Sequence, residues 1–199
     1  GDAALAQRIA DAAVFDLAAG AFLPDSPIIA GTNREAAEAI GMALPERSIE
    51  AIEHFLSARA AVAPLAPAVP LAPYLGGLAA RGLALGVITN DTEAGALAHL
   101  GSAGVLAHFD FVAGFDSGHG AKPDPDPLLA FCHATGLEPA RVVMVGDSRH
   151  DLLAGRAAGM QTIGVLTGTA LSADLAPLAD AVLPDIGHIP GWIDATILA

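Results

Sequence analysis

From Pro70 onward the chain repeats one pattern, a short apolar run followed by a segment of helix-forming sequence. The apolar runs are LALGVITN (83–90), FDFVAGF (109–115), RVVMVGD (141–147), QTIGVLTG (161–168) and the shorter DAVLPDI (180–186). Between them lie APYLGGLAARG (72–82), TEAGALAHLGSAG (92–104), DPLLAFCHATG (126–136) and DLLAGRAAG (151–159). Gly82, Gly136 and Gly159 close helices as C-terminal caps. Continuous apolar strands alternating with helices predict an α/β fold, a Rossmann-like parallel sheet with helices on both faces. In such sheets ligands bind beyond the carboxyl ends of the strands.

Residues 28–62 break the pattern. TNRE (32–35) is a capping box that opens a helix running to Gly41, and a second helix is expected from Pro45 to Val62 with Ile49, Ile52, Phe55 and Leu56 on one face. Pro64, Pro67, Pro70 and Pro73 then recur every three residues, which suits an extended linker and rules out a membrane helix over residues 60–80. The chain thus reads as a core of residues 1–19 and 68–199, with a small helical cap and its proline-rich linker inserted over 20–67.

The balance of 9 basic against 22 acidic residues, a net charge of −13, speaks against nucleic acid or an anionic membrane as a partner. Any phosphate ligand must therefore be neutralised locally. Cys132 is the single cysteine, and the first ten residues lack a basic region followed by an apolar stretch, so the expected compartment is the cytoplasm.

Three segments carry chemistry. In VVMVGDSRHD a strand delivers Asp147 at its end and a following helix carries Asp151 one turn later. Two carboxylates so placed suit a hard divalent cation such as Mg²⁺, which takes few protein oxygens and keeps water and phosphate ligands. GAKPDPDP holds Lys122, the only lysine of the chain, between prolines and aspartates; a compact ammonium there can balance a phosphate against carboxylates. GVITND places Thr89, then Asn90, after a strand, where a hydroxyl and successive N–H groups can meet a phosphoryl oxygen. A fourth candidate is Asp16, at the end of the apolar AAVF in VFDLAAGAFLPDS. The seven histidines show no ligand spacing, although His150 sits inside GDSRHD; Arg34, Arg47 and Arg59 of the cap are candidate carboxylate binders.

In this order the segments resemble the haloacid dehalogenase superfamily of hydrolases, and more narrowly its branch containing phosphoglycolate phosphatase. Thr89 matches the second family motif, Lys122 in KPDP the third, and Asp147 with Asp151 the fourth. The resemblance implies that Asp16 is the nucleophile and a metal ligand, that Thr89, Asn90 and Lys122 hold the phosphate, and that Asp147 and Asp151 complete a Mg²⁺ site. It further implies hydrolysis of a small phosphorylated metabolite through an aspartyl-phosphate, by a monomer or homodimer. The first motif departs from the family pattern, because Ala18 stands where a second acid belongs, Gly20 comes one place late and no Thr follows it. A general acid or base is worth about 10²–10⁴-fold, so slow turnover is expected. A non-catalytic anion- or Mg²⁺-binding protein is the competing reading, and a dehalogenase-type hydrolase a lesser one. The resemblance also requires a strand between those of the second and fourth motifs, and Ala12–Asp16 is the segment expected to supply it. Alanine-rich residues 2–22 also read as a helix, with Leu5, Ile9, Ala13 and Leu17 on one face.

Overall fold

The computed structural model describes residues 2–23, 26–60 and 62–197. An amino-terminal arm consists of helix α1 (Ala3–Ala12) and a hairpin of strands β1 (Phe15–Asp16) and β2 (Ala21–Phe22). Helices α2 (Pro27–Ala30), α3 (Asn33–Ala43) and α4 (Ile49–Ala60) follow. The rest alternates: α5 (Leu71–Ala80), β3 (Gly86–Ile88), α6 (Glu93–Ser102), β4 (Phe111–Ala113), α7 (Asp126–Thr135), β5 (Val143–Gly146), α8 (Arg149–Ala157), β6 (Gln161–Val165), α9 (Ser172–Leu175), β7 (Ala181–Leu183) and α10 (Ile189–Ile197). Each apolar run expected to be a strand contains a shorter one, trimmed at both ends except in QTIGVLTG, whose strand starts at Gln161.

The α/β class is as expected. α7 and α8 cover the strands with a core of Leu128, Phe131, Cys132, Ala154, Ala158 and Met160. α10 packs Ile189 against Ile163 and Val165 of β6. Gly136 ends α7 in the left-handed region at φ 69°, the cap its sequence position implies.

In the helical segment Thr32 caps α3, its hydroxyl accepting the Glu35 N–H while the Glu35 carboxylate accepts the Thr32 N–H. α3 and α4 pack through Ala37, Ile40 and Ile52. Thr32→Ala is expected to cost about 1 kcal/mol. That is a fall of roughly 2–4 °C in melting temperature, readable by calorimetry.

The sheet departs from expectation. β3 and β4 pair in parallel, with Gly86 opposite Phe111 and Ile88 opposite Ala113. β5, β6 and β7 form a separate parallel sheet in that order. Among the described residues no ladder joins β3 to β5. Ala12–Asp16, expected as the strand between them, is instead the end of α1, a turn and β1. β1 pairs antiparallel with β2, Phe15 opposite Phe22 and Asp16 opposite Ala21.

Helix propensity, a capping residue and longer-range contacts together account for this correction. Alanine is the strongest helix former, and Asp2 caps α1 by accepting the N–H groups of Ala4 and Leu5. Ala10 and Ala13 are buried, and the buried Ser26 hydroxyl donates to the Ala13 carbonyl at 2.5 Å. Gly20, one place late for a phosphate loop, takes φ 67° and donates its N–H to the Asp16 carbonyl, closing the hairpin turn. The arm has one strained point: Val14 follows the helix at φ 52°, a left-handed conformation that costs a β-branched residue of order 1–3 kcal/mol.

The missing pairing leaves a slot of about 690 Å³ between the two sheets, walled by residues 83–88 on one side and 141–147 on the other. Leu128, Phe131, Ile186 and Ile189 line it further. β6 is buried from Thr162 to Val165, whereas every residue of β5 is only half-buried and Gly86 of β3 is exposed.

Candidate active site

The site forms where β3, β5 and the loop after β4 end together. β3 delivers Thr89, Asn90 and Asp91; the loop 114–125 brings Lys122; β5 delivers Asp147, and α8 follows at once. Ser148 caps α8 and Asp151 is its third helical residue, so SRHD is itself a capping box. The Asp151 carboxylate accepts the Ser148 N–H at 3.0 Å and the Ser148 hydroxyl at 2.8 Å on Oδ2. Its Oδ1 accepts Lys122 Nζ at 2.6 Å. Gly146 makes the close approach possible, since a Cβ there would lie 2.1 Å from the Asp151 Cβ.

Lys122 is therefore held in place. Its ammonium also donates to the Ile88 carbonyl at 2.7 Å, and its side chain is 10% exposed against 9% for Asp151. Asn90, expected on the phosphate, spends its carboxamide on the Lys122 backbone: Nδ2 donates to the carbonyl at 2.9 Å and Oδ1 accepts the N–H at 3.0 Å. It positions the lysine loop. The Thr89 hydroxyl accepts the Asp91 N–H at 3.0 Å, which leaves its own proton to donate.

Asp147 differs from Asp151. Burial first, and the neighbouring Asp151 carboxylate second, raise its pKa above the ordinary range; a backbone hydrogen bond and Lys122 offset this in part. Among the described residues no cation forms an ion pair with Asp147. A desolvated carboxylate beside a second one, with the single nearby ammonium engaged by that second one, is a donor set that fits a divalent cation. Among the described residues no group of three or more His, Cys, Asp or Glu gathers, and Asp147 and Asp151 are the neighbouring pair of carboxylates at the cavity. Such a small set suits Mg²⁺, which retains much of its water.

Thr89, Asn90, Lys122, Asp147 and Asp151 all line one cavity of about 640 Å³, roofed by Ile28, Thr32, Asn33, Leu56 and Arg59 of the helical segment. Sequence reasoning missed the link between roof and floor: Asn33 Nδ2 donates to Asp91 Oδ1 at 2.6 Å and to Ser57 Oγ at 3.0 Å. Those partners lie far apart in the chain, and no local pattern marks them. Sequence reasoning also passed over Ser148, which its three-residue capping spacing to Asp151 marks. Of the three candidate arginines, Arg59 lines the cavity, over the Phe55 ring at 5.5 Å, while Arg34 is engaged by Glu38, Glu50 and Glu53. Arg47 is exposed. His150 also lines the cavity, with a buried Nδ1 that has no partner among the described residues.

Asp16 is not brought to this cavity. It is exposed, and its Oδ1 accepts the N–H groups of Ala18 and Ala19 at 2.8 and 2.9 Å, capping its own turn. Phe22, paired with β1, does reach the cavity wall. Of LPDSP, read as the exit toward the helical segment, Pro24 and Asp25 lie outside the described residues.

Comparisons with known proteins show the family and the fold. The family model of haloacid dehalogenase-like hydrolases matches residues 29–165. Phosphoglycolate phosphatase of Escherichia coli (strain K12) is 38% identical over 98 residues, 49% of this chain and 39% of that protein. Phosphoglycolate phosphatase of Neisseria meningitidis serogroup A is 40% identical over 119 residues, 57% of this chain and 48% of that one. The chain spans less than half the length of these relatives. Among solved structures, a predicted phosphoglycolate phosphatase from Haemophilus somnus superposes with a TM-score of 0.66 at 22% identity, covering 81% of this chain and 75% of that one. L-2-haloacid dehalogenase from Xanthobacter autotrophicus superposes with a TM-score of 0.61 at 19% identity, covering 96% and 84%.

Proposed function

This chain belongs to the haloacid dehalogenase-like hydrolases, and on that premise we propose that its cavity binds a small phosphate monoester with Mg²⁺, as the phosphoryl site of a phosphatase. The observation that carries the reading is the Lys122–Asp151 pair, a buried ammonium held beside Asp147 and below Thr89 in a strongly acidic chain. The similarity to phosphoglycolate phosphatases supports a small phosphorylated substrate. Lys122 and the Thr89 hydroxyl are the donors offered to the phosphoryl oxygens, and Asn90 fixes the lysine loop. Asp147 and Asp151 would hold the cation, which supplies charge neutralisation at the phosphoryl group. Arg59 of the roof and His150 of α8 bear on the remainder of the substrate.

The test is thermal. Mg²⁺ at millimolar concentration should raise the melting temperature by mass action, about 2.7 kcal/mol at a hundredfold excess over Kd. Asp147→Asn should remove that rise. A protein whose melting is indifferent to Mg²⁺ has no such site.

A second reading is favoured by Asp16, whose carboxylate caps its own turn outside the cavity. In it the cavity binds the anion and cation without turnover. Hydrolysis of p-nitrophenyl phosphate separates the two readings. No helix among the described residues is long and apolar enough to cross a membrane. Cys132, the single cysteine, is a buried free thiol, which suits a reducing compartment. We place the protein in the cytoplasm on the strength of that thiol, acting as a monomer or homodimer.

A further inference from the structure

The candidate active-site cavity is divided by chemistry. Its floor, built from residues 89–91, Lys122 and the turn into α8, is polar and charged. The side contributed by residues 22–63 is mostly apolar, with Phe22, Pro27, Ile28, Ile29, Leu56 and three alanines in the lining. The polar groups on that side are largely engaged within the protein. The Thr32 hydroxyl accepts the Glu35 N–H and donates to the Glu35 carboxylate. The Asn33 amide donates to Asp91 and Ser57. Arg59 is exposed and its guanidinium rests 5.5 Å over the Phe55 ring, so it offers a solvated charge and not a buried one.

We propose that this cavity takes a phosphate monoester whose leaving group is apolar, an alkyl alcohol or a phenol, with the ester oxygen at the floor and the hydrocarbon against Phe22, Ile28, Ile29 and Leu56. The proposal rests on the phosphoryl-site reading above and names the substrate class of that site. Single exposed apolar side chains need no explanation on a protein surface. Here Phe22, 36% exposed, and Ile29, 39% exposed, share one cavity with Lys122 and Asp147, and the chain itself leaves both uncovered. The cavity volume of about 640 Å³ is far more than a phosphoryl group fills. It falls within the range of about 300–1,000 Å³ in which apolar walls bury a ligand while a few polar groups fix its orientation.

The same lining works against a charged or polyhydroxylated leaving group. Such a group would give up its water to aliphatic side chains and find few partners, and a buried polar group without a hydrogen bond is costly. On the floor side, His150 Nδ1 of α8 is buried without a partner among the described residues, which offers one polar contact beside the phosphoryl site and no array of them. An apolar leaving group instead gains with each methylene it buries, by about fourfold in affinity. This class departs from phosphoglycolate, the compound in the names of the curated relatives.

The experiment titrates the full chain, in the presence of Mg²⁺, with orthophosphate, with methyl-, propyl- and hexylphosphonate, and with phosphonoacetate, by calorimetry at two temperatures. Hexylphosphonate is expected to bind more tightly than methylphosphonate by on the order of a hundredfold. The heat-capacity change of binding should grow more negative along the series, the mark of apolar surface buried by the ligand. Ile29→Asn, a change at an exposed position, should lower hexylphosphonate affinity by roughly three- to tenfold and leave orthophosphate affinity as in the wild type, while Ile29→Leu should keep the full series. Orthophosphate binding with no gain along the alkyl series overturns the proposal and leaves the phosphoryl site standing. Phosphonoacetate binding more tightly than hexylphosphonate does the same. A protein that binds neither orthophosphate nor any phosphonate loses the phosphoryl site and this proposal with it.

Discussion

Asp151→Ala is expected to destabilise the protein by about 3–5 kcal/mol, the cost of leaving one member of a buried ion pair without its partner. Lys122 would retain only the Ile88 carbonyl, and Ser148 would lose the acceptor of both its N–H and its hydroxyl. The loss of the α8 cap, about 1 kcal/mol alone, overlaps with this figure because the same carboxylate serves both. In a domain of this size each kcal/mol moves the melting temperature by roughly 2–4 °C, so a fall of about 6–20 °C is expected by calorimetry. The double variant Lys122→Met, Asp151→Leu should recover much of the loss, because apolar residues of similar volume replace a buried pair at little cost. A single variant that melts with the wild type would show that the pair is solvated and would remove the basis for treating Lys122 as preorganised.

The second large effect is expected at Lys122. Lys122→Met keeps the length of the side chain and removes the ammonium that the phosphate reading depends on. A hydrogen bond to a charged group contributes about 1.5–3 kcal/mol, so orthophosphate or vanadate affinity should fall roughly ten- to hundredfold by calorimetric titration. Sequence position alone, in a Gly/Pro-rich loop, suggests that this substitution leaves the fold untouched. The structure changes that expectation. Asp151 would remain buried without its cation, although Ser148 still donates to it twice, and the variant should melt below the wild type while losing less than Asp151→Ala. Phosphate affinity equal to wild type in a folded Lys122→Met protein would sink the role assigned to the lysine.

Much of this molecule was determined by sequence that acts locally. Apolar runs such as RVVMVGD become strands because a buried parallel strand has no polar face to show, and LALGVITN and RVVMVGD each place polar residues at their carboxyl ends. Thr32 with Glu35 and Ser148 with Asp151 start helices through bonds spanning three residues, which spacing alone reveals. Those local rules suffice to bring Thr89, Lys122, Asp147 and Asp151 to one edge of an α/β core, because strands running the same way end on the same side.

Tertiary structure alone decided three things. Lys122 and Asp151 meet across 29 residues at 2.6 Å, and Asn33 meets Asp91 across 58, contacts set by how elements pack. Asn90 turned from ligand to brace because both ends of its carboxamide found the lysine loop. Ala12–Asp16 is the deepest case. Alanine favours a helix, Val and Phe favour a strand, and a stretch holding both has no single local preference. Its conformation rests on long-range partners: the Ser26 hydroxyl and α3 hold the arm as helix and hairpin, against two open strand edges on the far side of the cavity.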